Sequence, residues 1–268
     1  MMRQLFMNAE NNNKSNLGLP LEYETLPEYF DAANISKESD ANNAVIEKFL
    51  NSYQANTVLD LTCGTGSQVF FLNERGYKVT GADFSPALLK IARARASREK
   101  MDLTFIDGDM RTLKAGTFDA VITISNAIGH VTKADFEKTL RNIYDNLNDG
   151  GIYIFDILNL DAMTDTVVAD LAYFVHKKVG DTQILSMQCS TIDRAQGILT
   201  SYDSLLIQKN AAVPERIQNT FSIQIYNSTE LREMLAKNGF ETLGHFGMQG
   251  EKFKEETTQS ILTVARKK

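Results

Sequence analysis

The residues of this chain best suited to chemistry stand at the ends of short β-prone runs. Thr57-Val58-Leu59-Asp60-Leu61 is closed by Thr62-Cys63-Gly64-Thr65-Gly66. Glycines in such a turn let the backbone bend sharply and approach a ligand closely. In an open parallel sheet, ligands bind beyond the carboxyl ends of strands, where the strand order reverses. A plain tight turn would read the same way. Two phosphate-binding loops are excluded in detail. No Lys follows Gly66, as a P-loop requires. Val69 stands where a dinucleotide fingerprint has its third glycine. Asp83 ends the next run, Tyr77–Asp83, and its two acceptor oxygens suit a pair of ribose hydroxyls. Its alternative task is to support the dipole of the helix that follows. In Asp107-Gly108-Asp109-Met110, Asp109 can accept from an exocyclic amine while Met110 packs on a base face. An exposed acidic turn is the alternative there.

The elements around these residues alternate. The pattern predicts helices over Asp40–Tyr53, Gln68–Arg75, Ser85–Arg98 and Asp135–Leu147. Gly76 reads as a left-handed helix stop, and Ser85-Pro86 as an N-cap followed by an N1 proline. Strands are predicted at Thr57–Leu61, Tyr77–Asp83, Asp102–Ile106, Phe118–Ser125 and Ile152–Ile157, with a turn at Asn148–Gly151. Strands alternating with helices imply βαβ units and a mainly parallel sheet. After Leu160 the style changes. Tyr173–Val179, Gln183–Asp193, Ile198–Gln208 and Ile217–Ile225 are strand-like runs separated by turn residues, which reads as hairpins. A helix opened by Ser228 and stopped by Gly239 follows, then strands at Phe240–Phe246 and Gln259–Ala265.

The 268 residues carry 43% hydrophobic and 23% charged side chains, an ordinary globular composition with enough apolar residues for a sizeable core. A net charge of −6 disfavours general binding to nucleic acid or to an anionic membrane. Cys63 and Cys189 fit neither a disulfide framework nor a zinc motif, so no metal and a reducing compartment are expected. No run approaches the ~20 apolar residues of a membrane span. The start of the chain lacks the apolar stretch of a signal peptide. A cytoplasmic protein is the expectation. The first 20 residues, with Asn11–Asn13 in a row, have little to bury and predict an arm or loose cap.

Taken in order, Val58–Gly66, Asp83, Gly108-Asp109-Met110, Phe118-Asp119-Ala120-Val121 and Gly150-Gly151 resemble the motifs of the class I S-adenosylmethionine-dependent methyltransferases. The resemblance is close over about Leu50–Leu160. One departure is Thr62, where many members have the first glycine. The resemblance implies a Rossmann-like α/β fold: a seven-stranded, mainly parallel sheet with helices on both faces and the last strand antiparallel. A β-rich insertion after strand five resembles those of glycine/sarcosine and aminosugar N-methyltransferases, where it covers the acceptor pocket. It divides the chain into an amino-terminal arm or lid (1–40), a donor-binding core (41–160), the insertion (161–225) and a carboxyl-terminal unit completing the sheet (226–268). S-adenosylmethionine is the implied cofactor, leaving S-adenosylhomocysteine. Its implied binding residues are Tyr29, Asp60, Thr62, Gly64, Gly66, Asp83, Phe84, Asp109, Met110 and Ser125. Within these, Gly64 and Gly66 border the methionine moiety with Asp60 near its amino group, Asp83 takes the ribose, and Asp109 with Met110 the adenine.

Methyl transfer from a sulfonium is an in-line displacement, accelerated largely by orientation and exclusion of water. A neutral amine acceptor needs no dedicated base; an oxygen acceptor would. His130, Asn126 and Asp156 are the expected catalytic residues: His130 as proton acceptor, Asn126 holding acceptor or donor, Asp156 orienting a cationic acceptor. Loop packing is the alternative for His130, and capping for Asp156. Tyr23 and Tyr29 are read as a lid or as plain packing. Arg93, Arg95, Arg98 and Lys100 read as a solvated face rather than an RNA contact, and His176 and His245 receive no role. The expected activity is methylation of a small molecule, favourably on an amine nitrogen, by a monomer or homodimer. RNA or protein methylation, a non-catalytic donor-binding protein and an NAD-dependent oxidoreductase are the rivals.

Overall fold

In a computed structural model, residues 17–31 and 37–268 are described; Asn11–Asn13 lie outside them. Two 3₁₀ turns, Leu21–Tyr23 and Pro27–Tyr29, precede helix α1 (Lys37–Ser52). The alternating unit then runs β1 (Thr57–Asp60), α2 (Ser67–Asn73), β2 (Lys78–Asp83), α3 (Pro86–Glu99), β3 (Thr104–Asp107), β4 (Phe118–Thr123), α4 (Lys133–Asp145) and β5 (Leu147–Leu158). A short helix α5 (Asp165–Asp170) leads into β6 (Tyr173–Val179), β7 (Thr182–Asp193), β8 (Ile198–Lys209) and β9 (Glu215–Gln224). Helix α6 (Ser228–Lys237), β10 (Phe240–Phe246) and β11 (Ser260–Lys267) complete the chain.

The first five strands join β10 and β11 in a seven-stranded sheet ordered β10-β11-β5-β4-β1-β2-β3. Only β11 runs antiparallel to its neighbours, as expected. Strand order reverses at β1, which pairs with β2 on one side and β4 on the other. The period-two alternation of β5 shows why helices cover both faces. Tyr153 and Phe155 join Phe136 and Leu140 of α4 and Leu231 and Leu235 of α6 in one apolar cluster. Ile152 and Ile154 join Ile46 and Leu50 of α1, Val69 of α2 and Leu89 of α3 in the other. The four hairpin strands form a separate antiparallel sheet, β6-β7-β8-β9.

The predicted caps hold at α3: Ser85 accepts from the Leu88 amide, and Pro86 is the first helical residue. Two expectations change. Asn148–Gly151 is not a separate turn but part of β5. There the register against β4 shifts between Phe118 and Ala120, and Gly150 takes φ +73°. Asp119 explains the continuity, accepting from the Asn56 and Thr57 amides and from Asn148 Nδ2. The Phe118-Asp119 motif therefore ties three strand starts together, at the end of the sheet away from any ligand. At α6, Asn227 rather than Ser228 is the N-cap, in a capping box with Glu230. Among the described residues, no helix is long and apolar enough to cross a membrane.

Candidate functional site

Two cavities open side by side at the carboxyl ends of β1, β2 and β4. The first, of about 250 Å³, is walled by the turn after β1, by Asp83 and Phe84 after β2, by Asp109–Arg111 after β3 and by Ser125 after β4. The second, of about 390 Å³, lies between the loop after β4 and one face of the hairpin sheet. Tyr23, Ser125 and His130 line both. These three residues mark the junction.

The turn after β1 is shaped by Gly64 and Gly66, both left-handed at φ +54° and +91°. A side chain at Gly64 would put its Cβ 3.1 Å from the Phe30 ring. Gly66 is set back from the cavity and serves as the N-cap of α2. Asp83 is buried and its carboxylate grips the turn: Oδ2 accepts from Gly64 N at 2.8 Å, and Oδ1 from Ser85 N at 2.8 Å. Burial pushes it up to about 6 against these bonds. Each oxygen keeps a further lone pair for a ligand. Asp60 lies behind Thr62, outside the cavity wall. Its Oδ1 is 3.4 Å from the Thr62 amide, while its buried Oδ2 has no partner among the described residues. Burial pushes this carboxyl up to about 8. Thr62 Oγ1, at the wall, is likewise buried with no partner. These orphaned acceptors, beside a backbone cradle that a Cβ would fill, suit a ligand bearing an ammonium group and hydroxyls.

Asp109 and Met110 both line the first cavity, but Asp109 is already engaged. Arg111 Nε donates to its two oxygens at 2.9 and 3.0 Å and Nη1 reaches Asp135 at 3.2 Å. Burial raises the Asp109 carboxyl, yet the Arg111 bonds outweigh this and leave it below its usual range. Its capacity to accept from an exocyclic amine is thus shared with Arg111, a neighbour not foreseen.

The junction is held from beneath. Ser125 and Asn126 are successive non-glycine residues at φ +66° and +58°. Such conformations cost of order 1–3 kcal/mol each and persist where surrounding structure imposes them. Asp156, buried at the end of β5, imposes this one: Oδ1 accepts from Ser125 N at 2.6 Å and Oδ2 from Asn126 N at 3.2 Å. Burial pushes Asp156 up to about 6 despite these bonds. Asp156 lines neither cavity, so it is placed to position the loop rather than to touch a bound molecule. Asn126 lines the second cavity only, with its Oδ1 buried and lacking a partner among the described residues.

His130 Nε2 lies 3.3 Å from Tyr23 Oη, with the rings edge to face at 5.2 Å. Burial lowers the imidazole to about 4. It is therefore a neutral hydrogen-bonding group near pH 7, placed at the wall that both cavities share. Tyr23 also stacks on Phe84, ring centres 6.0 Å apart, and its carbonyl accepts from Ser85 Oγ. The segment that carries Tyr23 is bonded to the second sheet through Ser222 N to Leu17 O and Asn219 Nδ2 to Leu19 O. Tyr29 reaches the second cavity, not the first. Tyr23 and Phe30 are the aromatics of this segment in the first cavity, and they meet edge to face with ring centres 5.6 Å apart.

The hairpin sheet contributes one face. Tyr173, Val175 and Lys177 of β6, Ile184, Ser186 and Gln188 of β7, and Asp203 and Leu205 of β8 alternate toward the second cavity. None of these was foreseen as a site residue. Alternation along each strand was visible, but which face meets the loop after β4 depends on how two sheets pack. The basic run is accounted for by ion pairs of Arg93 with Asp107 and of Arg95 and Arg98 with Glu99.

A family model described as a methyltransferase domain matches residues 58–151. A putative methyltransferase from Geobacillus is 29% identical over 140 residues, 50% of this chain and 57% of that protein. Glycine/sarcosine N-methyltransferase from Parasynechococcus marenigrum is 34% identical over 131 residues, 47% of this chain and 46% of that one. The chain thus matches about half the length of these curated relatives. Among solved structures, an amino pentose methyltransferase from Micromonospora echinaspora with S-adenosylmethionine bound superposes with a TM-score of 0.69 at 18% identity, covering 95% of this chain and 99% of that one.

Proposed function

We propose that this chain is a class I S-adenosylmethionine-dependent methyltransferase and that it methylates the nitrogen of a small-molecule amine, a reading supported by the methyltransferase-domain match and by the N-methyltransferase relatives. The observation that carries this reading is the pair of cavities sharing Tyr23, Ser125 and His130. One cavity suits a donor, the other an acceptor, and the reacting atoms would meet at the shared wall. The relatives point the same way: one is a glycine/sarcosine N-methyltransferase, another an amino pentose methyltransferase.

In this reading the donor occupies the first cavity, held by Thr62, Gly64, Asp83, Phe84, Asp109, Met110 and Ser125, with Asp60 behind the turn facing an ammonium. When bound, S-adenosylmethionine supplies an electrophilic methyl group on a sulfonium. The residues of the chain orient, desolvate and hydrogen-bond. Gly64 N and Ser85 N fix Asp83 for the ribose; Asp156 fixes Ser125 and Asn126. His130, neutral through burial, and Tyr23 hold the acceptor nitrogen by hydrogen bonds with its lone pair toward the junction. Tyr23, stacked on Phe84, closes the donor side from water. The amine enters neutral, and its proton leaves to solvent after transfer. No base of the chain needs to exceed the amine in basicity.

The 1–40 segment then acts as a lid, 41–160 as the donor-binding core, 161–225 as the cover of the acceptor site and 226–268 as the completion of the sheet. We place the protein in the cytoplasm, as a monomer or homodimer. The test is transfer of a labelled methyl group from S-adenosylmethionine to a panel of small amines, with RNA and protein fractions as comparators. Label in small amines supports the proposal. Label in RNA or protein alone, or donor binding with no transfer at all, contradicts it.

A further inference from the structure

The charged groups lining the second cavity are Glu22, Lys177 and Asp203. Lys177 lies near enough to Glu22 to oppose the effect of that carboxyl's burial. Asp203 has no such compensation. Its Oδ1 is buried with no hydrogen-bond partner among the described residues, and the charge acting on it is that of Glu22, of the same sign. Burial, with Glu22, pushes Asp203 up to about 6, so it is ionised at pH 7. A buried, ionised oxygen without a donor is a group that a ligand completes.

Its position says which part of the ligand. Asp203 sits in the cross-strand row Tyr173–Gln188–Asp203–Asn219, and it lines the second cavity alone. A nitrogen awaiting methylation must keep its lone pair free, whereas a carboxylate against it would favour its protonated form. Asp203 therefore serves a different group of the acceptor from the one at the junction. Val175, Ile184 and Leu205 provide apolar wall on the same sheet face, suited to a hydrocarbon spacer.

Resting on the reading of this cavity as the acceptor site, we propose that the acceptor is a diamine: one neutral nitrogen meets the methyl group at the Tyr23–Ser125–His130 junction, and a second, protonated amino group is bound by Asp203 with Glu22 beside it.

The test titrates the full chain calorimetrically, loaded with S-adenosylhomocysteine, with linear diamines from diaminopropane to diaminohexane, each against the monoamine of the same length. At least one diamine is expected to bind about tenfold or more tightly than its monoamine, the equivalent of about 1.4 kcal/mol. Asp203→Asn should reduce that ratio to within about twofold, and Glu22→Gln should reduce it by less. Thermal unfolding of both variants checks that each is folded, and Glu22→Gln carries the test should Asp203→Asn not fold. No preference for any diamine, or a preference that survives both substitutions, overturns the proposal. Titration with S-adenosylhomocysteine alone separates the two readings. Donor-product binding without diamine preference strikes only the diamine, whereas diamine preference without donor-product binding strikes only the methyltransferase function.

Discussion

The two cavities were written into the chain in different ways. The first is made of turns that directly follow strands of a parallel sheet, and each turn carries its own local mark: Gly64 and Gly66 with positive φ, Asp83 as the last residue of β2 and Asp109 two residues past β3. The second is made largely of a sheet face, and its lining residues come from four strands, a segment near the start of the chain and the loop after β4. A ligand-binding turn needs particular residues in sequence, because backbone geometry requires them. A sheet face needs only alternation, which does not say what the face will meet. The first cavity is therefore constrained residue by residue, and the second is free to change its lining while keeping its strands.

The largest effect should fall where the two cavities join. Asp156→Ala removes the acceptor from the Ser125 and Asn126 amides and releases their left-handed loop, at about 1–3 kcal/mol in all, since these part-buried amides can regain water. Denaturant unfolding should show the loss of stability, and methyl transfer should fall with it, because the strained loop serves both sides. Unchanged transfer would mean that the cavities do not share that loop in function.

Next, Asp83→Ala should weaken donor binding by about 1–3 kcal/mol while leaving binding of an amine to the second cavity near its original strength. Equal losses on both sides would erase the distinction between them.

A smaller effect belongs to Asp60 and is read as stability against pH. Asp83 and Asp156, raised to about 6, and His130 and His245, lowered to about 4, act in opposite directions below pH 6.5. Above pH 6.5, Asp60 is still titrating. Its folded pKa, about 8, lies above the ordinary 3.8, so its contribution is complete below pH 3.8 and is lost as pH rises through 8. The slope is at most about 1.4 kcal/mol per pH unit. At ~2–4 °C per kcal/mol, Tm should fall by a few degrees between pH 6.5 and 8. Asp60→Asn should flatten that slope, and a saturating donor, through its ammonium, should do the same. A slope indifferent to both would detach Asp60 from the donor.

The smallest effect sharpens the role of His130. Its replacement by Asn should slow turnover about tenfold, or about 1.4 kcal/mol, without changing the shape of the pH profile. A neutral imidazole at about 4 has no proton to lose between pH 6 and 9. An inflection near 6.5 that disappears in the variant would instead make His130 a base.

Much of this molecule was legible in the sequence for stated reasons. Period-two alternation and turn residues marked Tyr173–Val179 and Phe240–Phe246 to the residue, and Ser85-Pro86 marked the start of α3. The Asn148–Gly151 segment misled because its Asn, Asp and Gly look like a turn, whereas long-range bonds to Asp119 hold it as a bulged strand. Residue type left Asp156 as an orienting group for the acceptor or as a cap; its bonds to the Ser125 and Asn126 amides, 31 and 30 residues away in sequence, carried no local signal. Tyr29 and Tyr23 were indistinguishable as lid residues in sequence; in the structure Tyr23 lines both cavities and Tyr29 the second alone. Asp203 carried no local signal at all, being one acid among alternating residues.

The central claim is that the turn after β1, gripped by Asp83, holds the methyl donor. The most direct measurement is equilibrium titration of the full chain with S-adenosylmethionine and S-adenosylhomocysteine, alongside Asp83→Ala. Saturable one-to-one binding of both ligands, weakened about tenfold or more by the substitution, is the predicted result. Absence of binding, or binding of equal strength in the variant, would contradict it.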